Sequence, residues 1–212
     1  VGAYIADGST KNRSVVFGNC PEHKQLAFAS IAEAAGYKAK VYGGDLYINS
    51  AELASHFRSF GKSHEKRVPQ YIKDASKEAI AAFLHGYGTG DGTTRANNLT
   101  YTTVSKQLAD DLQELCLKNG WCANISMRDR RNEPAHLING YECVNRQVAY
   151  EVRVSQSRMK ASLEPSMTER VAYSGKVYCC TVTSHIIYVR RNGEACFLGQ
   201  TGEMGTCLKY VD

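Results

Sequence analysis

The chain has 212 residues, 43% of them hydrophobic and 22% charged, which is enough for one large or two small domains with a real core and too apolar for extended disorder. Its 26 Lys and Arg against 21 Asp and Glu give a net charge of +5 and a pI near 8.7, a mild bias that suits an anionic partner without naming one. No run of about 18 apolar residues could span a bilayer, and Val1-Gly2-Ala3-Tyr4-Ile5 lacks the basic start of a signal peptide; a soluble, intracellular protein of unspecified compartment is expected, with no membrane partner.

In chain order, a short helix should end at Asp7-Gly8, followed by the strand Ser14-Val15-Val16-Phe17. Leu26, Ile31 and Ala34-Ala35 recur at helical spacing up to a stop at Gly36, and Val41-Tyr42, Gly43-Gly44 and Leu46-Tyr47-Ile48 spell a hairpin with its turn glycines. Pro69 should open a helix through Ala75. A longer helix from Lys77 to Gly90, apolar at Ile80, Phe83, Leu84 and Tyr87, delivers Asp91. Leu108, Leu112, Leu115 and Cys116 form the next helical stripe, stopped by Gly120. Ile125 to Arg128 and Tyr150 to Val154 read as strands flanking a polar insertion from Asp129 to Gln147. Near the end, Lys176 to Val182 is strand-like; Ile186 to Val189, the turn Arg190-Arg191-Asn192-Gly193, and Ala195 to Thr201 suggest a further hairpin of a small β domain. The eight cysteines fall irregularly and include no Cys-x-x-Cys pair, so most are read as reduced core residues, without a zinc motif.

An internal repeat organises these elements. Gly2 to Lys11 is answered, 84 residues later, by Gly86 to Arg95; His23-Lys24-Gln25-Leu26 is answered by Ser105-Lys106-Gln107-Leu108, and Gly36 to Val41 by Gly120 to Ile125. Residues four apart on a helix share a face, so Gly2 and Ala6 make one small-residue stripe and Gly86 and Gly90 its counterpart. Glycine costs about 0.5–1 kcal/mol in a helix relative to alanine, and close packing of the two helices would offset that. If the stripes face each other about a pseudo-twofold axis, Asp7 and Asp91 converge at two negative helix ends, an arrangement that calls for a cation. Oxygen ligands without His or Cys favour Mg²⁺, bound with substrate phosphate oxygens and water, and point to metal-assisted phosphodiester hydrolysis. The bland alternative is that Asp-Gly merely ends two helices, with Gly8 and Gly92 as left-handed caps.

The predicted hairpins carry Lys11, Asn12 and Arg13, then Lys38 and Lys40, then Arg95, Asn97 and Asn98, then Arg128, Arg130 and Arg131. Arg suits guanine edges, Asn suits adenine and Lys reaches phosphate, and two-stranded ribbons fit a major groove, so double-stranded DNA is the expected partner.

The pair of motifs, with Leu84-His85-Gly86-Tyr87-Gly88-Thr89-Gly90-Asp91-Gly92 the fuller copy, resembles the two LAGLIDADG motifs of single-chain homing endonucleases over roughly residues 1 to 172. The resemblance implies an α+β fold: a tandem, pseudo-twofold αββαββα arrangement whose two antiparallel sheets straddle DNA. It implies a monomer, because the dimer is internal, and cleavage of both strands at a long site. It further implies that Asp7 and Asp91 are catalytic metal ligands and that a lysine ahead of the second motif helps to activate water. Lys66-Arg67-Val68-Pro69 matches that segment and makes Lys66 the third catalytic candidate. In the second half, Glu169-Arg170-Val171-Ala172 stands where the corresponding lysine is expected, leaving Lys160, Arg170 and Lys176 as alternatives.

Residues 176–201 resemble the C-terminal splicing region of an intein (the Hint fold). On that resemblance Cys179 takes a position usually held by Asp, Gln200 the cyclising amide, Thr201 the acceptor, and His185 a partial substitute for the helping His, whose place Gly199 holds. Three units are therefore expected: a first half over 1–75, a second half over 76–172 and an intein-like β segment with its tail over 173–212. Site-specific, Mg²⁺-dependent DNA cleavage by part of an intein is the leading reading. A non-cutting DNA- or RNA-binding relative of the maturase kind and a protein-splicing element are the alternatives; splicing by these 212 residues alone is not expected.

Overall fold

The computed structural model describes residues 1–95, 98–138, 141–156, 171–172, 174–176 and 180–199. The first unit runs α1 (Gly2–Asp7), β1 (Gly8–Lys11), β2 (Ser14–Phe17), α2 (Glu22–Ala34), β3 (Ala39–Tyr42), β4 (Asp45–Asn49) and α3 (Ala51–Arg58). After α4 (Gln70–Lys73), the second unit repeats the order with α5 (Lys77–Asp91), β5 (Gly92–Arg95), β6 (Asn98–Thr103), α6 (Lys106–Lys118), β7 (Cys122–Arg128) and, beyond an insertion, β10 (Ala149–Ser155). The strands form two antiparallel sheets of the same topology, β1-β2-β4-β3 and β5-β6-β10-β7. Together they give the expected α+β architecture.

Local chemistry sets the boundaries alike in both halves. Gly36 and Gly120, at φ +82° and +88°, follow α2 and α6 in the left-handed region. In each case the next N–H returns to a carbonyl five residues back, Tyr37 to Ala32 at 2.9 Å and Trp121 to Cys116 at 2.8 Å, the bonding of a Schellman stop. The hydroxyls of Ser50, Ser76 and Ser105 accept from the N–H groups of Leu53, Ala79 and Leu108 to cap α3, α5 and α6. Gly43 and Gly44 take φ +58° and +90° between β3 and β4, as a tight hairpin of this hand requires.

One continuous core joins the halves. Val15, Phe17, Leu46 and Ile48 line the inner face of the first sheet, and Tyr101, Ala123, Ile125, Val152 and Val154 that of the second. Between them α1 packs on α5, burying Tyr4, Ile5, Phe83, Leu84 and Tyr87.

Three expectations need correction. The helix after Pro69 closes at Lys73, since Ser76 already begins the cap of α5. The insertion holds a small hairpin, β8 (His136–Ile138) with β9 (Tyr141–Cys143), whose three-residue strands are too short to show a period in a polar stretch. Lys176 and Cys180 to Val182 lie in no strand, and Val177 to Cys179 fall outside the described residues, as do Asn97, Lys160, Arg170, Gln200 and Thr201.

The C-terminal hairpin is present as β11 (Ile186–Arg191) and β12 (Glu194–Gly199), tighter than expected, turning only at Asn192 and Gly193. It docks on the second unit. Gly193 O accepts from Ile125 N at 3.0 Å and from Gln113 Nε2 at 2.9 Å, while Arg190 pairs with the Asp110 carboxylate. A Cβ at Gly193 would stand 2.0 Å from Ile125 O, so only glycine fits. Cys20 and Cys116 are buried free thiols, Cys122 and Cys143 are half-buried, and Cys180 is exposed.

Candidate catalytic centre and nucleic-acid interface

The α1–α5 contact is made backbone to backbone. A Cβ on Gly2 would lie 2.1 Å from Phe83 O, one on Gly86 3.1 Å from Ala3 N, and one on Gly90 2.5 Å from Ala6 Cβ and 3.1 Å from Asp7 Oδ2. The stripes therefore face each other as their spacing requires, and the seam ends where Asp7 and Gly90-Asp91 meet. Gly88 faces away from this seam, toward the Tyr101 ring.

The glycines after the aspartates are not left-handed caps. Gly8 and Gly92 are extended, at φ −80° and −94°, but a Cβ would fall 2.6 Å from Tyr4 Cα or 2.4 Å from Gly88 O. They let each chain turn directly from helix into the first strand of its sheet, which fixes each aspartate at a helix-to-sheet corner.

The electrostatics at that corner are strained. Burial first, then the charge of Asp7, push the Asp91 carboxyl up to about 6, while the ammonium groups of Lys24 and Lys66 and a hydrogen bond with Tyr87 oppose the rise. Loss of water around a buried carboxylate, reinforced by the like charge of Asp7, explains the direction. Among the described residues no group of three or more His, Cys, Asp or Glu is placed to hold a metal. What the corner offers is two carboxylates and the Gly90 carbonyl, an all-oxygen set suited to a hard divalent ion that completes its shell with water and substrate oxygens.

Lys66 is no solvated loop lysine. It is only 7% exposed, and its Nζ donates to the carbonyls of Tyr4, Ile5 and Gly8 at 3.2, 3.0 and 3.1 Å while lying 5.2 Å from the centroid of the Tyr4 ring. The ammonium thus closes the C-terminal end of α1, where unpaired carbonyls and the helix dipole both favour a cation. Burial pulls its pKa below the ordinary lysine value, with Asp91 and Asp7 pulling the other way. Lys66→Met should cost about 2–4 kcal/mol in urea unfolding, because it strips buried carbonyls of a charged donor; an unchanged midpoint would show that those carbonyls find other partners.

Lys24, in the first turn of α2, belongs to the same centre. Its Nζ donates to Asp7 Oδ2 at 2.8 Å and to Gly90 O at 2.7 Å. The sequence shows Lys24 inside the repeat, but nothing local marks its partners 17 and 66 residues away.

Of the expected nucleic-acid contacts, Lys11, Asn12 and Arg13 cluster at the exposed β1–β2 turn, with Asn12 at φ +55°. Lys38 and Lys40 are exposed at β3, and Arg95 and Asn98 at the β5–β6 turn. Arg128, Arg130 and Arg131 are less free than expected: they pair with Glu151, Glu133 and Asp129, so a phosphate must compete for them. The outer face of the second sheet contributes residues not singled out from sequence. A groove of about 580 Å³ there is lined by Thr93, Arg95, Thr100, Arg128, Glu151 and Arg153. His185 sits at φ +52°, just before β11.

Residues 78–164 match the family model of the LAGLIDADG-like domain. The chain carries a LAGLIDADG-like domain. Its motif helix is α5, and the first unit repeats the architecture around α1. The chain is 29% identical over 205 residues to the C-terminal section of the DNA-directed RNA polymerase subunit beta of Stigeoclonium helveticum, covering 80% of this chain and 19% of that protein. It is 26% identical over 170 residues to the replication factor C small subunit of Methanocaldococcus jannaschii, covering 74% and 8%, and 32% identical over 96 residues to the NrdEB subunit alpha of ribonucleoside-diphosphate reductase from Bacillus subtilis, covering 42% and 9%. The chain thus spans less than a fifth of these relatives' lengths. Among solved structures, mesophilic variants of the homing endonuclease I-DmoI align with a TM-score of 0.49 at 17% identity, over 73% of this chain and 85% of that one. I-DmoI in complex with DNA and Ca aligns with a TM-score of 0.49 at 16% identity, over 73% and 80%.

Proposed function

We propose that this chain is a site-specific DNA endonuclease of the homing type, which makes a double-strand break at a long recognition site by Mg²⁺-dependent phosphodiester hydrolysis. The observation that carries this reading is the junction of Asp7 and Asp91 at the foot of a glycine-lined helix seam, between two like sheets. Asp7, Asp91 and the Gly90 carbonyl would hold the ion. Once bound, a divalent cation supplies Lewis-acid polarisation of a phosphate and an acidified water.

The chain's own side chains do the rest. The two carboxylates fix where positive charge collects, one from each half. Lys66 locks the end of α1 and keeps a buried positive charge beside both, the position from which it would assist an attacking water. Lys11, Lys38, Lys40 and the arginine-bearing face of the second sheet grip phosphates and set the register of the duplex. Because both aspartates belong to one chain, a monomer suffices.

The same reading makes the chain the nuclease part of an intein, intracellular and flanked by splicing segments. A polymerase subunit, a replication factor and a reductase subunit share no activity in their names, yet each resembles this chain along a small fraction of its length. An element inserted into unrelated hosts accounts for that pattern.

Incubation of a DNA library containing uninterrupted host genes with the protein and Mg²⁺ should yield discrete cuts that vanish on chelation and with Asp7→Asn. Tight binding without cutting would instead favour the non-cleaving binder, whose two carboxylates would then only repel phosphate.

A further inference from the structure

Lys24 breaks the symmetry of the repeat. Its counterpart in the second unit, Lys106, turns to Asp110 on its own helix. Lys24 crosses from α2 to touch both halves, donating to Asp7 of α1 and to the Gly90 carbonyl of α5. Those two oxygens, a carboxylate and a helix-end carbonyl, are what a hard cation would bind. The side chains of Lys24 and Asp7 are 26% and 34% exposed, so the ammonium reaches the centre from the solvent side on a flexible stem and can leave the same way.

We propose that Lys24 is a tethered cation, which fills part of the metal position in the free protein, competes with the divalent ion for Asp7, and, once displaced, contacts a phosphate oxygen of the bound DNA. This inference rests on the metal-dependent nuclease reading. It assigns Lys24 two consequences that a merely structural ion pair lacks: it weakens metal binding when DNA is absent, and it speeds cleavage when the metal is saturating.

The first consequence is tested by calorimetric titration of the DNA-free protein with Mg²⁺. Lys24→Met should bind Mg²⁺ at least tenfold more tightly than wild type, and adding Asp7→Asn to that variant should remove the gain. Equal Mg²⁺ affinity in wild type and Lys24→Met overturns the competition. The second is tested by single-turnover cleavage of a library-derived target at saturating Mg²⁺, where Lys24→Met should be ten- to a hundredfold slower and Lys24→Arg should recover part of the loss; an unchanged rate overturns the phosphate contact. Thermal unfolding of both variants within a few degrees of wild type shows that the fold is kept. Failure here with wild-type cutting intact sinks only the role of Lys24, whereas a wild type that never cuts sinks the nuclease reading.

Discussion

Asp91→Asn is expected to make the free protein more heat-stable at neutral pH while lowering Mg²⁺-dependent cleavage roughly a thousandfold or more, the equivalent of about 4 kcal/mol of barrier. The sign follows from linkage. With its carboxyl pushed up to about 6 from an ordinary 3.8, native Asp91 holds a proton between those values that the unfolded chain has released. Its contribution to stability is therefore full below about pH 4, falls as pH rises through 6, and stays lost above. Asparagine carries no charge and does not pass through that loss. The melting temperature of Asp91→Asn should exceed that of wild type at pH 7.5, and the gap should close on acidification to pH 4. Mg²⁺ should raise the wild-type value by binding the native state and leave the variant nearly unmoved. Equal melting curves at every pH would mean that Asp91 carries neither a burial penalty nor repulsion from Asp7 in the folded state.

Gly90→Ala should be among the most damaging small substitutions in the chain. Alanine gains up to about 1 kcal/mol over glycine in a helix, yet its methyl would meet Ala6 Cβ at 2.5 Å and Asp7 Oδ2 at 3.1 Å. Forcing the two helices apart should outweigh the gain and leave a net loss of about 2–3 kcal/mol. Cleavage should fall further than stability accounts for, because the same shift parts Asp7 from Asp91. Gly88→Ala is the control: its methyl would meet only a Tyr101 ring atom at 3.3 Å, and the urea midpoint should hardly move. Equal losses for both would show that helix interior glycines matter for flexibility rather than for the seam.

The legible and illegible parts of this molecule divide along sequence distance. The seam was legible because Gly2 with Ala6 and Gly86 with Gly90 obey helical spacing, and because the Asp-Gly pair repeats in register. The stops at Gly36 and Gly120 were legible because a left-handed residue must end each helix. The reason for Gly8 and Gly92 was not, since it depends on contacts with Tyr4 and Gly88 across a corner rather than on a backbone angle. Neither Lys66 as the closure of α1 nor Lys24 as the bridge between halves could be read locally, because every partner lies on a distant element. Arg128, Arg130 and Arg131 are less available than their positions suggest: Asp129 and Glu133 stand beside the last two in the chain, and Glu151 lies diagonally across the β7–β10 ladder from Arg128, within ion-pair reach. The docking of the C-terminal hairpin rests on Gly193 meeting Ile125 and Gln113, 68 and 80 residues upstream.

A contact built from main chain and hydrogen-sized side chains has an evolutionary corollary. Because the closest approach of the halves is backbone to backbone along the α1–α5 seam, substitutions on the outer face of either sheet can retune what that half touches without disturbing the seam. Recombining two divergent halves near residue 75 would have to carry along the seam glycines, the core residues that meet across the join and the cross-half bonds of Lys24, Val68 and Lys73.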